Sequence, residues 1–214
     1  MVSATVVVAR YKESIEWTKQ IPSDFDVVVY DKGSTVENIG RESHTYLKYI
    51  VDTYDRLPDV VVFTQAHPFD HVKEASDIPM WFTRWKKWIS ATGLSYNFVP
   101  CDWMNFFDWT CSHFPDSEFR VWFRKYVDDF PENKFPLMFA FNGACFGVSR
   151  ERILLRSKEY YERLLEQHTE TFSVEPYFME RAWFYIFKGA LSLWPVDART
   201  VRSLYAIMPV NYLV

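Results

Sequence analysis

The sequence predicts an α/β fold: a single domain with a central, mostly parallel mixed sheet flanked by helices. Three observations predict it. Residues 5–9 (TVVVA), 25–30 (FDVVVY) and 60–64 (VVVFT) are β-branched apolar runs, the mark of strands buried on both faces. Between the second and third runs, Ile39, Tyr46, Leu47, Ile50, Val51 and Tyr54 form one helical stripe, and strand, helix, strand in that order implies a parallel crossover. The chain has 214 residues and is 49% hydrophobic, enough for one sizeable core and cramped for two.

Taken in order, the first strand ends at Ala9, where Arg10, Lys12 and Glu13 stop an apolar run too short for a signal-peptide core or a membrane span. The second strand, a helix over about 38–54 and the third strand follow. The middle, about 78–133, holds six of the nine tryptophans among short helical patterns and Pro-marked turns. There Trp81, Trp85 and Trp88 recur at helical spacing, which predicts packing. Residues 135–148 return to strand character and end in Asn142-Gly143-Ala144-Cys145-Phe146-Gly147. Ser149 caps a helix expected to run to about His168, with Ile153, Leu154, Tyr161, Leu164 and Leu165 as its apolar stripe. A last helix covers about 175–188. The whole of 1–214 reads as one domain, with a nucleotide-type front half over about 1–75 and a back half over about 76–214.

Composition removes several function classes. A net charge of −4 with 24% charged residues argues against a general nucleic-acid binder or a polybasic membrane sensor. Three cysteines, Cys101, Cys111 and Cys145, without CxxC spacing indicate neither a disulfide framework nor a zinc ribbon, and a reducing cytoplasm is the expected location. Aromatic residues make up 19% of the chain beside only 6 glycines, and no GxGxxG or GxxxxGK[ST] occurs. A bound nucleotide would therefore have its charge met by a metal ion or by Arg and Lys rather than by a glycine loop.

Ligands of open α/β sheets sit outside the carboxyl ends of the strands. Those ends are polar here: Ala9, Arg10 and Tyr11 after the first strand, Asp31, Lys32 and Gly33 after the second, and Gln65, His67, Asp70 and His71 after the third. Asp31-Lys32-Gly33-Ser34 alone reads equally as a turn. Three polar ends together point to one crevice, in which Asp31 would accept hydrogen bonds from a base or ribose and Arg10, Lys32 and Arg41 would face phosphate oxygens. Gln65-Ala66-His67-Pro68-Phe69-Asp70-His71 is the densest ligand cluster in the chain. It departs from the HxHxDH pattern of binuclear hydrolases, since Gln65 stands where the first His would be, and a single mononuclear site is more economical.

Residues 5–13 (TVVVARYKE), 30–33 (YDKG), 38–46 (NIGRESHTY), 59–71 (DVVVFTQAHPFDH) and 180–183 (ERAW) together resemble a domain family of fungi and large DNA viruses whose members have the GT-A glycosyltransferase fold. The resemblance extends over nearly the whole chain and is strongest to viral members implicated in capsid-glycan synthesis. It implies a UDP-sugar donor, a Mn2+ (or Mg2+) ion, a glycan or glycoprotein acceptor and, for a viral protein, the host cytoplasm. Carried over by position, Ala9, Arg10, Tyr11 and Asp31 would hold the uridine, Asn38 and Arg41 would steady the diphosphate, and Gln65 would border the donor. The usual Asp-x-Asp is replaced by Gln65-Ala66-His67, so metal ligation would fall to His67 and Asp70, with donor oxygens completing the set.

The resemblance also implies, for an inverting transfer, a carboxylate at the start of a late helix. Glu175, before Pro176 at the mouth of that helix, is the first choice as base and Glu180, further in, the second. Trp103 and Trp109, beside Asp102 and Asp108, are the expected acceptor platform. Two other readings stay open: a metal-dependent hydrolase using His67, Asp70 and His71, and a non-catalytic carbohydrate-binding module suggested by the aromatic excess.

Overall fold

A computed structural model describes residues 1–70, 78–95, 107–108, 116–127, 137–138, 144–171 and 173–187. Among the described residues lie seven strands: β1 (Ala4–Arg10), β2 (Asp26–Asp31), β3 (Val60–Gln65), β4 (Leu94–Ser95), β5 (Phe107–Asp108), β6 (Leu137–Met138) and β7 (Phe146–Ser149). The helices are α1 (Arg41–Thr53), α2 (Ile78–Thr92), α3 (Asp116–Tyr126), α4 (Arg150–Ile153), α5 (Lys158–Leu165) and α6 (Glu175–Ile186). Five strands make a mixed sheet in the order β2-β1-β3-β7-β4, and β5 pairs with β6 in a separate two-stranded ribbon. β1 is parallel to both β2 and β3, while β7 runs antiparallel to β3 and β4. This is the expected α/β architecture, a mixed sheet flanked by helices. Among the described residues, no helix is long and apolar enough to cross a membrane.

The continuous apolar runs of β1 and β3 are explained by a core on each face, whereas β2 is not the doubly buried strand its run predicts: it lies at the sheet edge, with Asp26 and Val27 exposed and residues 28–31 half-buried. Val7 and Ala9 of β1 join Val61 and Phe63 of β3 under α1, α5 and α6, whereas Val6 and Val8 join Val60 and Val62 under α2, Trp17 and Phe25. Strand alternation thus feeds two clusters from one string of valines. Aromatic rings supply most of the first core: Tyr46 lies 4.8 Å from Phe63, and Trp183 lies 5.3 Å from Phe146 and stacks on Phe187. Removing a buried indole of this kind costs about 3–5 kcal/mol. In α2 the buried stripe is Ile78, Phe82, Trp85 and Ile89, so Trp85 packs as expected while Trp81 and Trp88 flank the stripe, half-buried.

Two expected helices are corrected. The first starts at Arg41 rather than 38, because the chain turns left-handed at Gly40 (φ 57°) before the helix can begin. The helix expected from Ser149 to about His168 is two helices. Ser149 does cap α4 by accepting the Arg152 N–H, but the chain then breaks and restarts at Lys158. Tyrosine hydroxyls stabilise the break: Tyr161 donates to the Ile153 carbonyl at 2.8 Å and Tyr54 to the Arg156 carbonyl at 2.5 Å. Leu154, assigned by periodicity to the apolar stripe, is exposed as a result.

Candidate functional site

The parallel register places the three polar strand ends in one row: Arg10 is level with Asp31, and Ala9 with Gln65. Arg10 forms an ion pair with Asp31 and donates its Nε–H to the Glu13 carbonyl at 2.8 Å, so it fixes the acid and the turn after its own strand together. The backbone N–H of Tyr11 donates to Glu13 Oε2 at 2.5 Å, leaving the phenol ring exposed beside Gly33 with the Lys12 ammonium 4.8 Å from its centroid. Asp31 anchors the next turn as well, its carbonyl accepting from the Ser34 and Thr35 N–H groups.

Lys32 does not stand open to the crevice, where the sequence placed it facing phosphate. It is 6% exposed, and its ammonium donates to the Ile39 carbonyl at 2.5 Å and to the Arg41 carbonyl. Burial pushes it down to about 8, with Glu42 acting in the opposite sense. Asn38 is half-buried, and its carbonyl accepts from the Thr171 hydroxyl at 2.7 Å. Arg41 reaches the surface. Its Nη1 donates to the Tyr177 hydroxyl at 2.9 Å, its guanidinium lies 5.2 Å from that ring's centroid, and Glu42 is 3.6 Å from its Nε.

At the end of β3, Gln65 is half-buried, and buried Ala66 accepts the Trp17 indole N–H at 2.8 Å. His67 is exposed, its ring meeting Phe69 edge-on at 5.5 Å. The backbone of Asp70 closes the same short 3-10 turn (Pro68–Asp70). The side chain of Asp70, and His71, Trp103 and Trp109, lie outside the described residues. Among the described residues, no three His, Cys, Asp or Glu side chains gather closely enough to share a metal ion.

Across the row stands Cys145, fully buried, its sulfur 3.6 Å from the Thr64 hydroxyl. Burial pushes the thiol up to about 11, and the negative charges of Glu42 and Glu180 add to that push. Glu175 begins α6, and its Oε2 is buried without a hydrogen-bond partner. Sequence reading missed Glu42 and Tyr177. Glu42 carried a usable signal as an acid in the first turn of a helix that opens on the crevice; Tyr177 carried none, because its role depends on a contact with Arg41, 136 residues away.

Residues 6–202 match the family described as "Protein of unknown function (DUF3431)", and the chain belongs to that family. No curated protein matches it, and no solved structure does.

Proposed function

We propose that this member of the DUF3431 family is a GT-A-type glycosyltransferase that moves a sugar from a UDP-sugar donor to a glycan or glycoprotein acceptor. The observation that carries the reading is the row of Arg10, Asp31 and Gln65 at three adjacent strand ends, facing a helix that opens without a side-chain cap and with Arg41 in its first turn. A row of polar groups recognises a nucleoside, while a helix N-terminus with an adjacent guanidinium favours a diphosphate. Asp31, oriented by Arg10, accepts from the base or ribose; Tyr11, exposed next to Gly33, offers an apolar and π surface.

In the reaction the acceptor oxygen bonds to the anomeric carbon, the bond from that carbon to the diphosphate breaks, and UDP leaves with the electron pair. Arg41 and the N–H groups of α1 stabilise the leaving charge. A Mn2+ or Mg2+ ion held by His67 and Asp70 would supply further neutralisation of the diphosphate. The acceptor proton passes to a carboxylate, for which Glu175 is assigned because it opens α6 with a buried oxygen that has no hydrogen-bond partner; Glu180, about a turn and a half further in, is the comparison.

The test is thermal shift with UDP and UDP-sugars, with Mn2+ and with EDTA, followed by donor-hydrolysis assays. UDP should raise Tm with Mn2+ and much less with EDTA. Glu175→Gln should lower turnover about 100-fold or more while UDP binding persists, and Glu180→Gln should do less. Absence of any nucleotide-dependent shift overturns the reading. Glycan binding without nucleotide binding would favour a carbohydrate-binding module, and two zinc ions retained per chain would favour the hydrolase.

A further inference from the structure

The turn that delivers Arg41 to the crevice is strained. Gly40 has φ 57° and Arg41 φ 45°, and a left-handed arginine is an uncommon conformation that its surroundings must enforce. Three contacts enforce it from behind. The Gly40 N–H donates to the Glu170 carbonyl at 3.0 Å, the Thr171 hydroxyl donates to the Asn38 carbonyl, and His168 packs so closely that a Cβ on residue 40 would lie 2.6 Å from its Cβ and Cγ. The fourth contact comes from the sheet. Lys32 reaches under the loop and binds the carbonyls on either side of Gly40, those of Ile39 and Arg41.

A buried ammonium is an expensive way to fill that space, since an apolar side chain of similar length loses less hydration. What an ammonium can do and a methionine cannot is hold two carbonyl oxygens at once, on both sides of a left-handed residue. The depression of its titration to about 8 fits this enclosed position. We propose that Lys32 is a positioning residue: by clamping the Ile39 and Arg41 carbonyls it locks the Gly40–Arg41 turn, and so presents the Arg41 guanidinium to the diphosphate of a nucleotide donor. The diphosphate part rests on the glycosyltransferase reading; the clamp does not. Lys32 acts through Arg41 and touches no ligand itself.

The experiment compares Lys32→Met, Lys32→Gln, Lys32→Arg, Arg41→Ala and the Lys32→Met/Arg41→Ala double variant by UDP titration calorimetry with Mn2+ and by amide hydrogen exchange. Lys32→Met should weaken UDP about 10-fold, and the double variant should bind no more weakly than Arg41→Ala, because a clamp has nothing left to position once the guanidinium is gone. Lys32→Arg, which keeps a charged multidentate donor, should recover most of the affinity. Exchange should accelerate at residues 40–44 in Lys32→Met while β1 and β3 keep their protection. Multiplying losses in the double variant, or wild-type UDP affinity in Lys32→Met, overturns the proposal, as does acceleration spread over the whole sheet. If Lys32→Met fails to fold, Lys32→Gln carries the same comparisons. If the wild-type protein binds no UDP, the glycosyltransferase reading falls and the clamp is decided by exchange alone: unchanged rates at 40–44 refute it.

Discussion

The two ends of the central sheet are made from the same strands and are built in opposite ways. At the amino end everything is cross-tied: Asp59 accepts from the Ser3 N–H and hydroxyl at 2.8 and 2.9 Å, and Arg150 donates to Asp59 Oδ1 at 2.6 Å and to the Leu57 carbonyl at 3.2 Å. At the carboxyl end Arg10 pairs with Asp31 and Lys32 turns in under its own loop, while Tyr11 and Arg41 reach the surface on a backbone that bends sharply. Of the six described residues with positive φ, five border that end: Lys12, Gly33, Gly40, Arg41 and Ala144. Only Gly93 lies at the other. Backbone strain collects where geometry serves something other than stability, so the contrast separates the working edge of the sheet from the edge that holds it together.

The largest consequence of this contrast is acid sensitivity seated behind the carboxyl end. His44 in the first turn of α1 and His168 behind Gly40 are both nine-tenths buried, with ring centroids 6.4 Å apart, and His44 Nδ1 and both nitrogens of His168 lack partners. Burial, aided by the charge of Lys32, pushes His44 down to about 4, and burial, His44 and Lys32 push His168 down to about 3. In the unfolded chain both titrate near 6.5. Above that pH neither state is charged and stability is full. As pH falls through 6.5 the unfolded chain takes up protons that the folded one refuses, and the contribution is gone below the folded values. The loss, accumulated between pH 6.5 and 3, is on the order of several kcal/mol. Because the charge on His44 helps depress His168, the two do not simply add. Urea unfolding at stepped pH should show the fall, and His168→Leu should flatten it; an unchanged slope in that variant would refute the assignment.

The second test sets glycines from the two ends against each other. Gly40→Ala must adopt φ 57° and push a Cβ into the rigid root of buried His168, which should cost about 2–4 kcal/mol. At Gly93, with φ 82°, the added Cβ would meet Arg152 Nε at 3.0 Å and Cγ at 3.2 Å, atoms of a side chain long enough to move aside. Gly93→Ala should therefore cost only about 1–2 kcal/mol, mostly conformational. Measured by denaturant midpoints, the working edge should prove the less tolerant. Equal losses at the two sites would erase the distinction.

The difference between the ends also explains what the sequence disclosed. Valine runs announce strands, so β1, β2 and β3 and their polar ends were legible, and with them Arg10, Asp31 and Gln65; the edge position that leaves β2 half-exposed was not, because β2 carries the same run as the buried β1 and β3. What could not be read was the direction in which a polar side chain turns. Lys32 next to Asp31 looks like a second ligand group, and only the return of the loop at Ile39 and Arg41 shows that its ammonium is used internally. Helix periodicity failed similarly at residues 154–157, where hydroxyls of Tyr54 and Tyr161, distant in sequence or packed from the next helix, accept the role of partner that a continuing helix would have filled.

The smallest expected effect completes the comparison. Asp59 is held below the usual carboxylate range, first by its hydrogen bonds from Ser3 and then by Arg150, yet the network lies at the solvent boundary, where water and salt screen such pairs. Asp59→Asn keeps the shape and one acceptor and removes the charge. It should shift the thermal midpoint little at neutral pH, and less still in high salt. Because the carboxyl's titration is lowered on folding, what the wild-type acid contributes is present above its unfolded value and fades as pH falls through the folded one, so wild type and variant should converge in acid. Nucleotide affinity should be untouched, since every group assigned to the donor stands at the opposite end of the strands. A loss of UDP binding in Asp59→Asn comparable to that in Arg41→Ala would mean that the two ends are coupled through β3, and the separation of holding edge from working edge would have to be abandoned.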